Sequence, residues 1–131
     1  MINTMRNYTD EEKKILAKVD HTLLRTTATL EEIRALCEAA REAGTASVCI
    51  PPCYVNDAAQ FLKGDVAVCT VIGFPNGYST TAAKVFEAKE AIRLGASEID
   101  MVVNLCDVKN ENYDRVYLEL LAMREACEGV M

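Results

Sequence analysis

Asp100 stands inside an apolar stretch, Glu98-Ile99-Asp100-Met101-Val102-Val103-Asn104. Placing a carboxylate among such residues costs free energy unless it is paired. Asp100 is therefore the first candidate for chemistry. Alternation with period two sends Ile99, Met101 and Val103 to one face of a strand, and Asp100, Val102 and Asn104 to the other. If the strand lines a barrel, that second face looks inward. A carboxylate desolvated in such an interior holds its proton more tightly, which suits general acid–base work. The competing reading is an aspartate that only accepts backbone or arginine hydrogen bonds.

Val19-Asp20-His21-Thr22 repeats the pattern, with Asp20 and Thr22 on one face and His21 on the other. Asp20 is the second candidate, again set against a structural hydrogen-bonding role. His21 has no second ligand or nucleophile beside it in sequence and reads as a half-buried structural residue. Cys49 shares a face with Ser47 and could line a pocket. Packing is the simpler reading, because no neighbour in sequence would activate the thiol. Gly73-Phe74-Pro75-Asn76-Gly77 could bring backbone close to a ligand. It carries neither a Walker pattern nor G-x-G-x-x-G, and Asn-Gly is an ordinary turn pair, so a turn is favoured.

Four strand–helix units position these residues, after a leader helix over about Asp10–Lys18 with Thr9 and Glu12 as a capping box. The first strand, Val19–Thr22, precedes a helix opened by the capping box Thr29-Leu30-Glu31-Glu32. Leu30, Ile33, Leu36, Cys37 and Ala40 share a face of it, and Gly44 is placed to stop it. The second strand, Ala46–Ile50, leads to a short helix near Tyr54–Leu62 that Gly64 ends. The third, Val66–Ile72, leads to a helix over Thr81–Leu94 with Gly95 as its stop. The fourth, Glu98–Val103, leads to a helix over about Asn112–Cys127 that should bury Tyr113, Val116, Tyr117 and Leu120. Gly129 ends it, and Val130-Met131 would begin a fifth strand. Strands separated by capped amphipathic helices are βαβ units and demand a parallel sheet. Two architectures compete, an open doubly wound sheet and half of a (β/α)₈ barrel, for which about 250 residues is typical. In either, the site lies at the C-terminal ends of the strands. No linker or composition shift divides residues 1–131, so they are read as a single domain.

The 131 residues are 50% hydrophobic and 26% charged, as in an ordinary soluble globule. A net charge of -6 argues against a general nucleic-acid partner. No apolar run approaches the roughly 18 residues of a membrane span, and Met1–Asp10 lacks the apolar stretch of a signal peptide. A cytoplasmic protein with reduced thiols is expected. Cys49 and Cys53 are four apart, but no second pair follows and His21 is the only histidine, so no metal site is expected.

Four segments, taken together and in order, resemble deoxyribose-phosphate aldolase: Lys18-Val19-Asp20-His21-Thr22-Leu23-Leu24, Ala46-Ser47-Val48-Cys49-Ile50-Pro51-Pro52, Val71-Ile72-Gly73-Phe74-Pro75-Asn76-Gly77, and Gly95-Ala96-Ser97-Glu98-Ile99-Asp100-Met101-Val102-Val103-Asn104. The resemblance runs from about Thr9 to Met131. It implies a (β/α)₈ class I aldolase that interconverts 2-deoxy-D-ribose 5-phosphate with glyceraldehyde 3-phosphate and acetaldehyde. It also implies a lysine Schiff base, with no metal and no cofactor. A second lysine keeps the first partly deprotonated. On this resemblance Asp100 matches the proton-relaying aspartate. Asp20 matches a first-strand aspartate of the polar network, with Thr22 beside it, and Cys49 matches a pocket-lining cysteine.

Both lysines of that family belong to the sixth and seventh strands. Here the lysines are Lys13, Lys14, Lys18, Lys63, Lys84, Lys89 and Lys109, and none lies within or at the C-terminal end of a predicted strand. The loops that usually bind phosphate follow strands seven and eight. The reading is the N-terminal half of an aldolase barrel that cannot run the reaction alone. Two alternatives stand beside it: a self-assembling half-barrel module, and a small open α/β binding domain. Open sheet edges and an uncovered face predict a homo-oligomer or association with the other half of a barrel.

Overall fold

The computed structural model describes residues 7–131, so residues 1–6 of the stretch read for a signal peptide lie outside it. Helix α1 (Asp10–Leu16) opens on Thr9, whose hydroxyl accepts from the Glu12 amide while the Glu12 carboxylate accepts from the Thr9 amide at 2.8 Å. Helix α2 (Leu30–Ala43) opens in the same way on Thr29 and Glu32. Each box satisfies two amides that a helix start otherwise leaves without partners. Gly44 closes α2 in the left-handed region at φ 67, a conformation open to glycine without steric cost.

Strands β1 (Asp20–Thr22), β2 (Ser47–Ile50), β3 (Ala67–Ile72) and β4 (Glu98–Met101) form one parallel sheet in the order β1-β2-β3-β4. Helix α3 (Val55–Leu62) follows β2 after a 3-10 turn, and α4 (Thr81–Leu94) follows β3. This is the half-barrel pattern of the sequence reading. One correction concerns α3: the residue that closes it is Lys63, at φ 51, rather than Gly64. The Lys63 amide reaches the Ala59 carbonyl and finishes the helix before the glycine.

The main core lies between the sheet and its helices. It combines Val48, Ile50, Val68 and Ile72 with Ile33, Cys37 and Ala40 of α2, Val55, Ala58 and Leu62 of α3, and Ala88 and Ala91 of α4. The one hydroxyl in this layer of strands, Thr70, donates to the Ile50 carbonyl at 2.7 Å. The opposite face carries only a small cluster, Cys49, Cys69 and Val71, with Leu24 packed against it.

Beyond β4 the structure differs from expectation. A five-residue helix, α5 (Leu105–Lys109), precedes α6 (Tyr113–Ala126). Helix α6 buries Glu119 and Met123, while Tyr113, Tyr117 and Leu120 are 63%, 64% and 44% exposed and Val116 is half-buried. The cause is an ion pair. Lys84 of α4 is fully buried, and its Nζ lies 2.9 Å from Glu119 Oε1. Nζ also donates to the Val102 carbonyl at 2.8 Å, and Oε1 accepts from the Asn104 amide at 3.1 Å. The pair rotates α6 so that a carboxylate faces inward, and it ties both helices to the chain leaving β4. Val130–Met131 lies along β4, with Ile99 donating to the Met131 carbonyl at 2.7 Å.

Breaking this pair on one side strands the other charge. Lys84→Met should cost about 3–5 kcal/mol in urea unfolding, and adding Glu119→Leu should recover much of the loss. Equal losses in the two variants would show that the stranded Glu119 carboxylate is not what costs stability. Gly77 has φ +73, and a Cβ there would run into the Val103 carbonyl. Gly77→Ala should therefore cost at least about 3 kcal/mol in the same measurement.

Candidate functional site

Strand register brings the site together. Asp20 pairs with Ser47, and Thr22, Cys49, Cys69 and Glu98 form one row across all four strands. Val71 pairs with Asp100 one step further toward the C-terminal ends. Period two then puts all these side chains on the face away from the main core. Ser47 donates to Asp20 Oδ1 at 2.7 Å, and the Thr22 hydroxyl donates to the Asp20 carbonyl at 2.8 Å. The sulfurs of Cys49 and Cys69 and a carboxylate oxygen of Asp100 all lie within 4.8 Å of one another.

The two thiols are buried and Asp100 is exposed, because no helix covers this face. Charge on it is of one sign. Among the described residues, Asp20, Glu98 and Asp100 have no ion-pair partner. The Glu98 carboxyl is pushed up, first by burial and then by the charges of Asp20 and Asp100. Cys69 shares a hydrogen bond with Cys49, which together with burial pushes the Cys69 thiol far up. Accepting that hydrogen bond brings the Cys49 thiol down, against burial and the two aspartates.

Asp100, Asp20, Thr22 and Cys49, the residues singled out from the sequence, share this face. Val102 and Asn104 do not extend it, because β4 ends at Met101. Asn104 instead caps α5, accepting from the Cys106 amide at 3.0 Å. His21 takes the other face, half-buried and in register with core residue Val48. The Gly73–Gly77 segment is a tight turn, with the Gly77 amide 2.7 Å from the Gly73 carbonyl. Sequence reasoning passed over Cys69 and Glu98, whose alternation in β3 and β4 carried the signal. It also passed over Lys84, whose position on a helix gave no sign that its amine reaches the end of β4. That amine lies on the helix side of the sheet, spent on Glu119 and Val102. A hollow of about 510 Å³ opens at the C-terminal rim beside this face, lined by Leu24, Thr26, Pro51, Tyr54, Val71 and Phe74 among others. Its lining is mostly apolar and does not include Asp100.

The profile described as DeoC/LacD family aldolase matches residues 14–131. A protein of Clostridioides difficile named deoxyribose-phosphate aldolase is 55% identical over 114 residues, which is 87% of this chain and 52% of that protein. One of the same name from Streptococcus pyogenes is 58% identical over 118 residues, 90% of this chain and 53% of its own length. The solved deoxyribose phosphate aldolase of Aeropyrum pernix, described as tetrameric, superposes with a TM-score of 0.79 at 27% identity, covering 92% of this chain and 51% of its own. The chain spans about half the length of these relatives.

The raised Glu98 carboxyl makes stability depend on pH. The folded state holds the Glu98 proton more tightly than the unfolded chain, so its contribution is full below the ordinary carboxylate pKa and is lost as pH rises through the folded value. Glu98→Gln should raise the urea midpoint at pH 7 and leave that gain absent at pH 4. A gain of the same size at both pH values would mean that the charge is not responsible.

Proposed function

The chain belongs to the DeoC/LacD aldolase family, and on that premise we propose that it forms the N-terminal half of a 2-deoxy-D-ribose 5-phosphate aldolase barrel, residues 1–131 acting as one domain. The reaction is the reversible cleavage of the sugar phosphate to glyceraldehyde 3-phosphate and acetaldehyde through a lysine Schiff base. One observation carries the reading: Asp100, Asp20 and Cys49 stand together on an uncovered, uncompensated face of a parallel sheet.

A protonated imine needs an anionic neighbour, and a proton must leave the methyl carbon of bound acetaldehyde to give the enamine. Asp100 supplies that relay. Its carboxylate is open to the interior and next to the two thiols. Asp20, held by Ser47 at 2.7 Å, orients the polar network, and Thr22 and Cys49 line the pocket. These roles call for an amine on the same face, and no lysine of the described residues offers one. Lys84, the lysine buried nearest the strand ends, is engaged with Glu119 on the far side. The amine and the phosphate-binding loops then come from further strands, either as more of the same polypeptide or as an associating chain. Relatives include an enzyme described as tetrameric, which supports a homo-oligomer. All six cysteines are free, which fits a reducing, cytoplasmic setting, and no helix of the described residues is long and apolar enough to cross a membrane.

A half-barrel module that closes by pairing with itself is the second reading, favoured by the exposed Tyr113, Tyr117 and Leu118 of α6. Borohydride reduction in the presence of acetaldehyde tests the chemistry, with intact mass as the readout. The 131-residue chain alone should give no stoichiometric adduct, and mixing with a barrel half that bears the lysines should restore one on those lysines. A stoichiometric adduct on the chain alone would overturn the division of labour proposed here.

A further inference from the structure

Asp100 is the last residue but one of β4, in register with Val71 of β3. The sheet holds β4 only a little further, through the Val102 amide, which donates to the Ile72 carbonyl at 3.0 Å. Past that bond, two side chains from the helix layer take over. Lys84 Nζ donates to the Val102 carbonyl at 2.8 Å, and Glu119 Oε1 accepts from the Asn104 amide at 3.1 Å. Both side chains are buried and joined to each other at 2.9 Å, so neither can swing out to solvent. Lys84 reaches β4 by passing beneath the end of β3, where a Cβ on Gly73 would stand 2.8 Å from Lys84 Cε. One turn along α4, Glu87 accepts from the Gly73 amide at 2.9 Å. Helix α4 therefore holds the ends of both strands, β3 through Glu87 and β4 through Lys84.

We infer that Lys84 and Glu119 are positioning residues for the proton relay: their ion pair clamps the backbone from Val102 to Asn104 and through it fixes where Asp100 stands. Both lie on the helix side of the sheet and act only through β4. The inference rests on the aldolase reading for what Asp100 does, whereas the clamp itself needs only α4, β4 and α6. A relay carboxylate has to be held within about 0.5 Å of its productive place, and a misplacement of about 1 Å costs about a hundredfold in rate. An apolar pair could fill the same space with no loss of stability. It would leave the Val102 carbonyl and the Asn104 amide without these partners, and the strand end free to shift.

The test separates stability from position, using the 131-residue chain labelled with carbon-13 and nitrogen-15. Lys84→Met combined with Glu119→Leu should regain much of the urea stability lost in Lys84→Met alone. The Asp100 carboxyl carbon signal should nevertheless stay displaced from its wild-type position, and the Asn104 amide should exchange at least about tenfold faster than in the wild type. The Asp20 carboxyl signal, on β1 at the other edge of the sheet and held by Ser47, should not move. A second measurement needs no variant. In the wild-type chain the Asn104 amide, bonded to a buried carboxylate, should exchange at least about tenfold more slowly than the Cys106 amide, which is bonded in an exposed cap. A wild-type Asp100 signal in the stable double variant, equal displacement of Asp20 and Asp100, or an Asn104 amide that exchanges as fast as that of Cys106 would each overturn the clamp. Displaced Asp100 signals together with failed trapping of acetaldehyde on added lysines would uphold the clamp and sink the aldolase reading alone.

Discussion

Burial of one face of the sheet fixes the register of all four strands. Val48, Ile50, Val68 and Ile72 have to meet α2, α3 and α4, and a slip of one residue would turn them away from the helices. Everything on the opposite face follows from that requirement. Asp20, Ser47, Cys49, Cys69 and Asp100 are brought together by the packing of their neighbours, with few bonds among themselves. A single hydrogen bond, Ser47 to Asp20, joins side chains of adjacent strands within the acidic part of the group. The site is therefore as stable as the core behind it, and its polar residues are free to serve chemistry.

Electrostatics separates the two sides of the sheet. On the helix side a buried charge is answered at once: Lys84 meets Glu119, and their remaining capacity goes to Val102, Asn104 and Thr81. A buried pair of this kind gives little net stability over an apolar substitute but fixes one geometry. Here it sets the rotation of α6 and the course of the chain out of β4. On the other side Asp20, Glu98 and Asp100 repel one another with no ion-pair partner among the described residues. Burial and the charges of Asp20 and Asp100 both push the Glu98 carboxyl up, the expected sign for like charges set together without a cation.

Most of the architecture was legible because local rules and tertiary packing agree. Thr9, Thr29, Gly44 and Gly95 mark helix ends by capping chemistry that needs no partner, and the apolar runs of β2 and β3 read directly as covered parallel strands. The reading failed where a tertiary partner outvoted hydropathy. The stripe Tyr113, Tyr117 and Leu120 looked like the buried face of α6, yet Glu119, Met123 and Cys127 hold that place. Nothing within the helix announces that Glu119 will meet a lysine on α4. Helix α5 is shorter than two turns, too short for periodicity to speak, and its start depends on the Asn104 side chain. At the site, alternation placed Asp20, Thr22, Cys49 and Asp100 together, but the partnership of Cys49 with Cys69 exists only through strand register.

That last point bears on what the face can hold. A carboxylate row alone would accept any cation, whether a hard metal, an amine or an imine. Two buried sulfurs in its midst narrow that choice, since they offer a hard ion no oxygen ligands. An iminium carbon placed against Asp100 would use that charge without using the sulfurs as ligands, and Cys49 and Cys69 would remain buried walls of the pocket. The same three side chains thus suit a positive charge that arrives on an organic group, set next to Asp100 and against two buried sulfurs.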